Sequence, residues 1–365
     1  MNMQSDARPS RRLRCILVTG GSGFIGSNFV RYLLGRQDFH GLVVNADALT
    51  YAGNPLNLAD LEDDSRYHFE HVDIRDEGAV RDLFDRYAID TVVHFAAESH
   101  VDRSIFGPRD FVTTNIVGTF TLLEAARADW GDRRDVLFHH VSTDEVYGSL
   151  GETGAFVEET PYAPRSPYSA SKACSDHLVR AYWHTYGLPV TLSNCSNNYG
   201  PYQFPEKLIP LMILNMLEGK ALPVYGEGRN VRDWLYVVDH AEAIWMILQR
   251  GRLGESYNVG GESEWKNLEL VRHLCAIVAD QTGAPADSYL SLIRFVTDRP
   301  GHDLRYAIDC GKIKRELGWS QKHDFALGMA ETVRWYLGNS TWITAVRSGD
   351  YREWMKRNYA AMGRV

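Results

Sequence analysis

The sequence has little of what a membrane protein or a nucleic-acid-binding protein needs. No apolar run approaches the roughly 20 residues of a membrane-spanning helix. The formal net charge is −8, and lysine and arginine cluster only among the first residues. Since nucleic-acid surfaces depend on clustered cations, we expect neither nucleic acid nor a membrane as a partner. An anionic substrate would need a local basic cluster.

Cysteine is also scarce, with five residues, an odd count that includes no CxxC pair. Scattered thiols of this kind favour a reducing compartment over a secreted, disulfide-bonded protein. The apolar stretch 15–18 is too short for a signal-peptide core and has no cleavage site. We therefore expect a cytoplasmic protein that uses no metal and whose residues 1–12 form a flexible tail. The cysteines are Cys15, Cys174, Cys195, Cys275 and Cys310.

What is present is typical of a globular protein large enough for two lobes: 365 residues, 44% of them hydrophobic and 24% charged. In the first half, short apolar runs alternate with longer amphipathic segments. This alternation predicts an α/β fold, a Rossmann-like doubly wound parallel sheet with helices on both faces. We expect strands at 15–19, 42–46, 67–72, 91–95, 136–142 and 189–194, and helices at 24–34, 79–87, 110–127 and 167–186.

After residue 200 the pattern changes, because prolines interrupt the chain and the later segments are shorter and more mixed. We expect a first, nucleotide-binding domain at 13–200, with segments near 230–260 returning to it. The rest of 201–365 is expected to form a second, smaller α/β lobe that binds substrate. No clean linker separates the two, so we expect them to interleave.

A glycine-rich loop follows the first predicted strand and opens the first predicted helix. Gly20, Gly23 and Gly26 permit positive φ and close backbone approach, while the helix N–H groups face a pyrophosphate. A tight strand–helix turn alone would also explain the glycines. However, Asp47 ends the second strand, where a carboxylate binds a ribose 2′-hydroxyl and repels a 2′-phosphate. The combination indicates NAD rather than NADP.

Residues after the other strands complete the expected cofactor site. Asp73 is placed to meet the adenine, or else it is an ordinary turn aspartate. Small residues after the fourth strand let the backbone lie against the nicotinamide half. The full expected set is Gly20, Gly23, Phe24, Ile25, Gly26, Asp47, Ala48, Leu49, Thr50, Asp73, Ile74, Phe95, Ala96, Ala97, Ser99, Thr114, Tyr168, Lys172 and Asn198.

A predicted helix with Ser166 as N-cap and Pro167 as its first residue carries Tyr168 and Lys172 one turn apart. Both side chains therefore project from one face. An ammonium beside a phenol favours the phenolate, so we expect Lys172 to lower the pKa of Tyr168. Thr143, at the end of the fifth strand, would add a hydroxyl. The same spacing also occurs on ordinary exposed helix faces.

Asp144 and Glu145 follow Thr143 directly. Two adjacent carboxyl groups permit separate acid and base roles if their environments separate their pKa values. A simple alcohol oxidation has no need of them. Consecutive strand side chains diverge, so the chain must bend here for both to reach one substrate. The alternative is a solvated acidic turn.

These runs and several later ones resemble the dTDP-glucose 4,6-dehydratases of the extended short-chain dehydrogenase/reductase family. The resemblance runs in order from about residue 14 to about residue 360 and departs from the family only in the N-terminal tail and at 230–231. The segments that carry it are 142–148 (STDEVYG), 166–173 (SPYSASKA), 194–201 (NCSNNYGP), 204–210 (FPEKLIP), 232–234 (RDW) and 298–303 (DRPGHD).

The resemblance implies a three-step reaction on dTDP-glucose. Tyr168 takes the proton of the 4-hydroxyl while hydride passes from C4 to NAD. Glu145 then removes the C5 proton, and Asp144 protonates the departing 6-hydroxyl. The hydride then returns to C6 and a proton is delivered to C5, so the product is dTDP-4-keto-6-deoxyglucose and NAD is regenerated. The implied substrate contacts are Ser99, Thr143, Asn197, Lys207, Leu208, Pro223, Tyr225, Arg232, Asn267, Arg299 and His302.

Several alternatives remain open. A 4-epimerase, a UDP-glucuronate decarboxylase or a 4,6-dehydratase acting on a UDP- or GDP-hexose would share most of these motifs, although the first two need no paired acid and base. A dinucleotide-binding regulator without chemistry is the alternative from another class. Arg232 and Asp233 could simply pair, and His302 could be an ordinary loop residue. The family also implies a homodimer built on helices 110–127 and 167–186, which periodicity cannot distinguish from an internal core.

Overall fold

The centre of the computed structural model, which describes residues 10–298 and 302–348, is a seven-stranded parallel sheet. The strands of the chain are β1 (Cys15–Thr19), β2 (Leu42–Asp47), β3 (Tyr67–His71), β4 (Thr91–His94), β5 (Leu137–Thr143), β6 (Val190–Cys195), β7 (Asn197–Tyr199), β8 (Leu222–Tyr225), β9 (Val231–Tyr236), β10 (Ser256–Val259), β11 (Glu264–Lys266) and β12 (Ile293–Val296). The large sheet has the order β10-β6-β5-β4-β1-β2-β3, so the predicted doubly wound parallel sheet is confirmed.

Helices cover both faces of this sheet. β1, β4, β5 and β6 are buried along their whole length, which explains their nearly continuous apolar sequences. None of the helices in the two described ranges is long and apolar enough to cross a membrane. The helices are α1 (Phe24–Leu34), α2 (Glu77–Arg86), α3 (Val101–Phe106), α4 (Pro108–Phe111), α5 (Thr119–Trp130), α6 (Pro167–Tyr186), α7 (Leu208–Leu217), α8 (Val237–Arg250), α9 (Asn267–Thr282), α10 (Ala286–Leu290), α11 (Gly311–Leu317), α12 (Phe325–Gly338) and α13 (Ser340–Ser348).

Helix α6 illustrates how local sequence sets an element. Ser166 and Ser169 form a reciprocal capping box, and Pro167 occupies the first helical position. The helix ends at Gly187, whose φ of +66° is the left-handed conformation that glycine adopts without strain. These signals place Tyr168 and Lys172 within the first turns of α6. The helix matches the predicted range 167–186.

The order of the strands creates the crevice in which ligands bind in such folds. β1 pairs with β2 on one side and with β4 on the other, so the strand order reverses at β1. The carboxyl ends of all the parallel strands meet at one edge of the sheet. The loops that follow β1, β2, β4 and β5 therefore converge on the same space.

The later half of the chain forms smaller sheets and also contributes to the large one. β7, β9 and β11 form a three-stranded sheet, and β8 pairs with β12. A separate core, which includes Met212, Leu274 and Met329, packs around α7, α9 and α12. β10 returns to the large sheet beside β6, and α8 packs against α1 through the core that contains Trp245.

The helix predicted at 110–127 is not a uniform α-helix. The segment consists of α4, a π-helical stretch at Val112–Gly118 and then α5. The Asn115 carbonyl accepts hydrogen bonds from Ser175 Oγ at 2.6 Å and Thr119 Oγ1 at 2.5 Å. A regular α-helix would use this carbonyl oxygen for a backbone hydrogen bond. Because side-chain donors bind it here, the turn can widen into a π-helix. Helical periodicity alone does not reveal such contacts, and π-turns often lie at functional sites.

Candidate active site

A cavity of about 490 Å³ opens at the carboxyl ends of the sheet strands, beside the reversal of strand order. Most residues predicted for the cofactor and the chemistry line it. Leu49 does not, although its N–H donates to Asp47 Oδ1 at 2.8 Å. The predicted residues in the lining are Gly20, Gly23, Phe24, Ile25, Gly26, Asp47, Ala48, Thr50, Asp73, Ile74, Phe95, Ala96, Ala97, Ser99, Thr114, Thr143, Asp144, Glu145, Tyr168, Lys172, Asn197, Asn198 and Lys207.

The glycine loop between β1 and α1 forms one wall of the cavity. Gly20 has φ +71°, and a Cβ there would lie 2.6 Å from the Ala96 nitrogen. A Cβ on Gly26 would lie 2.3 Å from the Gly20 oxygen. Gly23 caps α1 with no side-chain hydrogen bond, so the cap leaves first-turn N–H groups for an anion. The loop therefore fits a pyrophosphate held by backbone groups.

Asp47 and Asp73 lie at the ends of β2 and β3. The buried Asp47 carboxylate accepts hydrogen bonds from the Ser22 N–H at 2.9 Å and the Leu49 N–H at 2.8 Å. Burial raises its pKa, and the oxygens retain lone pairs for ribose hydroxyls. Asp73 pairs with Arg75, whose Nε lies 2.9 Å from Asp73 Oδ2. Both of these side chains line the cavity.

Tyr168 and Lys172 are buried at the cavity wall. Lys172 Nζ donates to the Val141 carbonyl at 2.9 Å, and burial lowers the pKa of Lys172 to about 8. The expected lowering of the Tyr168 pKa is not found in this structure. Burial, followed by the charge of Glu145, raises that pKa well above its ordinary value, and a hydrogen bond with Thr143 offsets only part of the effect. Burial disfavours the phenolate more than the sequence pattern suggests.

The two carboxyl groups lie where the chain bends, as predicted. β5 ends at Thr143, and a 3₁₀ turn, Asp144–Tyr147, follows at once. Asp144 is only 2% exposed, and its Oδ2 has no hydrogen-bond partner within the described ranges. Burial, then the charges of Glu145 and Asp233, raise the pKa of Asp144 well above its ordinary value. The protonated form of Asp144 is therefore favoured beside a half-buried Glu145, and the solvated acidic turn is wrong for Asp144.

The structure brings two of the later predicted substrate residues, Asn197 and Lys207, to this cavity. Lys207 Nζ donates to the Ser99 carbonyl at 3.4 Å, which joins the two halves of the chain at the rim. Arg299 lies outside the described residues. The other predicted residues are not in the cavity lining: Leu208 on α7, Pro223 and Tyr225 on β8, Arg232 on β9, Asn267 at the start of α9, and His302.

Three of these outlying residues have informative surroundings. The His302 ring packs edge-on against Tyr225 at 6.2 Å between centroids, and its Nδ1 lies 2.6 Å from Asp298 Oδ1. His302 is therefore held by specific contacts. Asn267 Oδ1 is buried without a hydrogen-bond partner in the described part of the chain. Such an atom is costly to leave unsatisfied and marks a place where a ligand group could donate.

Arg232 and Asp233 point to different partners. Arg232 donates to the Val231 carbonyl at 2.7 Å and the Asp303 carbonyl at 3.0 Å, and its guanidinium lies 4.3 Å from the centre of the Tyr306 ring. The Asp233 carboxylate accepts from the backbone N–H groups of Gly261 and Ser263. The positive charge of Arg232 also acts to lower the pKa of Asp144, so it contributes to the electrostatics of the site.

Several lining residues were not predicted from the sequence. Glu98 is the chain neighbour of Ser99, and Glu206 is the chain neighbour of Lys207. Both neighbours were predicted, so adjacency in the sequence was the available signal for the two glutamates. Burial raises the pKa of Glu98. The guanidinium of Arg103 lies 3.8 Å from the centre of the Tyr51 ring. The unpredicted lining residues with polar or aromatic side chains are Tyr51, Arg75, Glu98, Asp110, Ser142, Cys195, Ser196, Gln203, Phe204 and Glu206.

Comparison with known proteins places the chain in a family. The family model described as GDP-mannose 4,6 dehydratase matches residues 17–332. A dTDP-glucose 4,6-dehydratase from Xanthomonas campestris is 58% identical over 92% of this chain and 97% of its own length. One from Salmonella typhimurium is 54% identical over 94% of this chain and 98% of its own. The solved structure of a dTDP-glucose 4,6-dehydratase from Streptomyces venezuelae, with NAD and TYD bound, matches with a TM-score of 0.81 at 50% identity, over 90% of this chain and 98% of that one. This chain belongs to the dTDP-glucose 4,6-dehydratase family.

Proposed function

We propose that this chain is an NAD-dependent hydro-lyase that converts dTDP-glucose to dTDP-4-keto-6-deoxyglucose. The observation that carries the proposal is the pair of carboxyl groups at the cavity wall that also holds Tyr168 and Lys172. Asp144 is buried with a raised pKa, whereas Glu145 is partly exposed. A 4-epimerase or a decarboxylase has no need of an acid and a base placed together, so this arrangement favours dehydration.

NAD fits the part of the cavity that the first half of the chain forms. Gly20 and Gly26 leave space that a Cβ would fill, the start of α1 suits the pyrophosphate, and Asp47 suits the adenosine ribose. Relatives from Streptomyces venezuelae and Bacillus anthracis were solved with NAD, which supports the assignment. When bound, NAD accepts a hydride from C4 and returns it to C6.

Tyr168 accepts the proton of the glucose 4-hydroxyl in the first step. Because burial and Glu145 disfavour its phenolate, this step depends on groups that stabilise the negative oxygen. The Thr143 hydroxyl, which hydrogen-bonds the phenol, and the ammonium of Lys172 fill this role. Because Thr143 has a single hydroxyl proton, it can donate to the sugar oxygen that becomes a ketone only once Tyr168 has taken up the proton.

Glu145 and Asp144 carry out the elimination. A ketone at C4 acidifies the C5 proton, and the partly exposed Glu145 carboxylate removes it. Asp144 keeps its proton because burial and the neighbouring carboxylates raise its pKa, so it can protonate the departing 6-hydroxyl. The two adjacent residues would therefore take different roles because their environments differ.

The distal parts of the substrate are assigned to the later half of the chain. The hexose and the diphosphate would contact Ser99, Thr143, Asn197 and Lys207. Because the net charge of the chain is −8, the diphosphate needs a local cation, and Lys207 supplies it. Beyond the cavity, the unsatisfied Asn267 oxygen and the 42% exposed Tyr225 support a role in holding the nucleoside. The family resemblance adds Leu208, Pro223, Arg232, Arg299 and His302.

The organisation of the protein follows from the same assignment. Residues 13–200, with the returning strand β10, would bind NAD, and most of 201–365 would bind the sugar nucleotide. Exposed apolar side chains on the segment from α4 to α5, Val112, Val117 and Phe120, support a homodimer seam beside α6. The free thiols among the described residues support a reducing, cytoplasmic location.

The experiment that tests this function is an assay of the purified protein with dTDP-, UDP- and GDP-glucose. We expect a 4-keto product, read from its absorbance in alkali, with dTDP-glucose above all. Exclusive turnover of a UDP or GDP sugar would overturn the nucleotide assignment. Epimerised product without loss of water would overturn the reaction.

A further inference from the structure

A buried charged group lies behind the active site, and the proposed reaction does not use it directly. Asp176 lies one helical turn beyond Lys172 on α6, and His140 precedes Val141 on β5. Both side chains are fully buried. A buried carboxylate is costly unless it is paired and hydrogen-bonded, so this position calls for a physical reason.

The surroundings of Asp176 keep its carboxylate ionised. Its Oδ2 accepts hydrogen bonds from Ser142 Oγ at 2.8 Å, from the Tyr162 hydroxyl at 2.8 Å and from Asn194 Nδ2 at 3.4 Å. Its Oδ1 lies 3.2 Å from His140 Nε2. Although burial acts to raise it, the contact with His140, the charge of Lys172 and the hydrogen bond from Tyr162 hold the pKa of Asp176 below its ordinary value. The group therefore carries a negative charge at neutral pH.

His140 joins this negative charge to the lysine of the active site. Its Nε2 lies 3.2 Å from Asp176 Oδ1 and 3.3 Å from Lys172 Nζ, whereas Nδ1 has no hydrogen-bond partner in the described ranges. One ring nitrogen can donate to Asp176 or accept from Lys172, but it cannot do both at once. Burial and the nearby lysine lower the pKa of His140 to about 4, so the ring is neutral.

Lys172 is the cation next to this pair. Burial lowers its pKa to about 8, and the negative charge of Asp176 is the main effect that opposes this. The other titratable groups that face Lys172 or His140 are neutral in the working range. Burial raises the pKa of Cys195 to about 12 and raises that of Tyr168 well above its ordinary value, and it lowers the pKa values of His94 and His139. Arg180 donates instead to Tyr162 and Ser256.

We propose that Asp176 and His140 are a positioning pair that keeps Lys172 protonated and held at the active-site wall, so that it can stabilise the Tyr168 phenolate. The inference rests on the proposed function, because C4 oxidation is the step that needs this phenolate. An opposite charge near a buried ammonium favours its charged form. The Val141 carbonyl fixes the direction of the ammonium, His140 Nε2 can accept from it when it is not donating to Asp176, and Asp176 supplies the charge.

The test compares Asp176→Asn with the parent enzyme by two readouts. Asparagine keeps the size and the acceptor oxygen of the side chain but removes the charge. With lysine-selective ¹³C labelling, and Lys172 assigned by its loss in Lys172→Met, we expect the Lys172 resonance to titrate roughly 1 pH unit or more lower in Asp176→Asn. In stopped flow, the rate of NADH formation should begin to fall on the alkaline side at a pH that is lower by the same amount, with KM little changed. Asp144 transfers no proton in that step.

Tyr162→Phe is the matched control, because it removes a hydrogen bond to Asp176 but leaves the charge. Its Lys172 titration should stay near that of the parent. A folded Asp176→Asn protein with an unshifted Lys172 titration would overturn the inference. So would a parent enzyme whose Lys172 is already neutral at neutral pH, and this measurement needs no Asp176 variant. A parent enzyme that makes no keto product would instead overturn the proposed function, since the titration is read without substrate.

Discussion

The roles of the two carboxyl groups can be separated by changing the leaving group on C6. Asp144→Asn removes the transferable proton from a side chain that is only 2% exposed and preserves its shape. General acid catalysis contributes about 10²–10⁴-fold to a step of this kind. By transition-state arithmetic this is about 3–5 kcal/mol. We expect kcat for dTDP-glucose to decrease by a factor of about 10²–10⁴, because hydroxide is a poor leaving group without a proton.

The assay compares dTDP-glucose with dTDP-6-fluoro-6-deoxyglucose. Fluoride leaves as a stable anion and needs no proton, so Asp144→Asn should recover most of its lost rate on the fluoro substrate. Glu145→Gln is the matched variant, and it should stay slow on both substrates because the C5 proton must still be removed. If Asp144→Asn is equally slow on both, Asp144 is not the acid.

The sign of the pH dependence follows from the same assignment. The pKa of Asp144 is raised, so its acid form is present below that raised pKa and is lost as the pH rises through it. The elimination of water should therefore slow on the alkaline side. Loss of fluoride should lack this contribution, and a parallel fall on both substrates would contradict the acid role.

Three further predictions concern the cofactor loop, the base and the dimer. In Gly26→Ala the new Cβ would lie 2.3 Å from the Gly20 oxygen, so the folded variant should copurify with much less NAD; retention at the parent level, read by absorbance after denaturation, would contradict the loop assignment. Glu145→Gln should permit C4 oxidation but block elimination, so NADH absorbance should build up after substrate is added, and turnover at the parent rate would exclude Glu145 as the base. Phe120→Asp places a charge on the proposed seam, where the side chain is 41% exposed, and should shift the mass seen by light scattering from dimer to monomer; Val157→Asp, at a 40% exposed position off these helices, is the control that should not.

The parts of the fold that the sequence predicts best depend on local pattern. The range 15–19 matches β1 and 24–34 matches α1. The glycine loop between them marks where the strand pattern of apolar residues ends and the helical pattern begins. β2, β3 and β4 differ from their predicted ranges by one residue at one end, and β5 and β6 by one residue at both ends, where frayed ladders carry little sequence signal. The π-helical stretch at Val112–Gly118 was not predictable, since it involves contacts with a helix much later in the chain.

The residues of the site were predictable where they belong to a sequence motif. Their protonation was less predictable, because it depends on the surroundings of each side chain. Spacing brought Tyr168, Lys172, Asp144 and Glu145 to attention, and all four line one cavity. Their proton affinities depend on burial, which a linear pattern does not contain, so the direction of the Tyr168 shift was wrong. The pair of Asp176 and His140 escaped notice for the same reason, because it forms only when α6 packs on β5.

The proposed reaction requires a phenol and two carboxyl groups to meet around one hexose ring. A crystal structure of Asp144→Asn with NAD and dTDP-glucose tests this most directly. We expect the Tyr168 hydroxyl within hydrogen-bond distance of the sugar O4, the Glu145 carboxylate facing C5 and residue 144 beside O6. A hexose bound with C5 and C6 turned away from residues 144 and 145 would contradict the account.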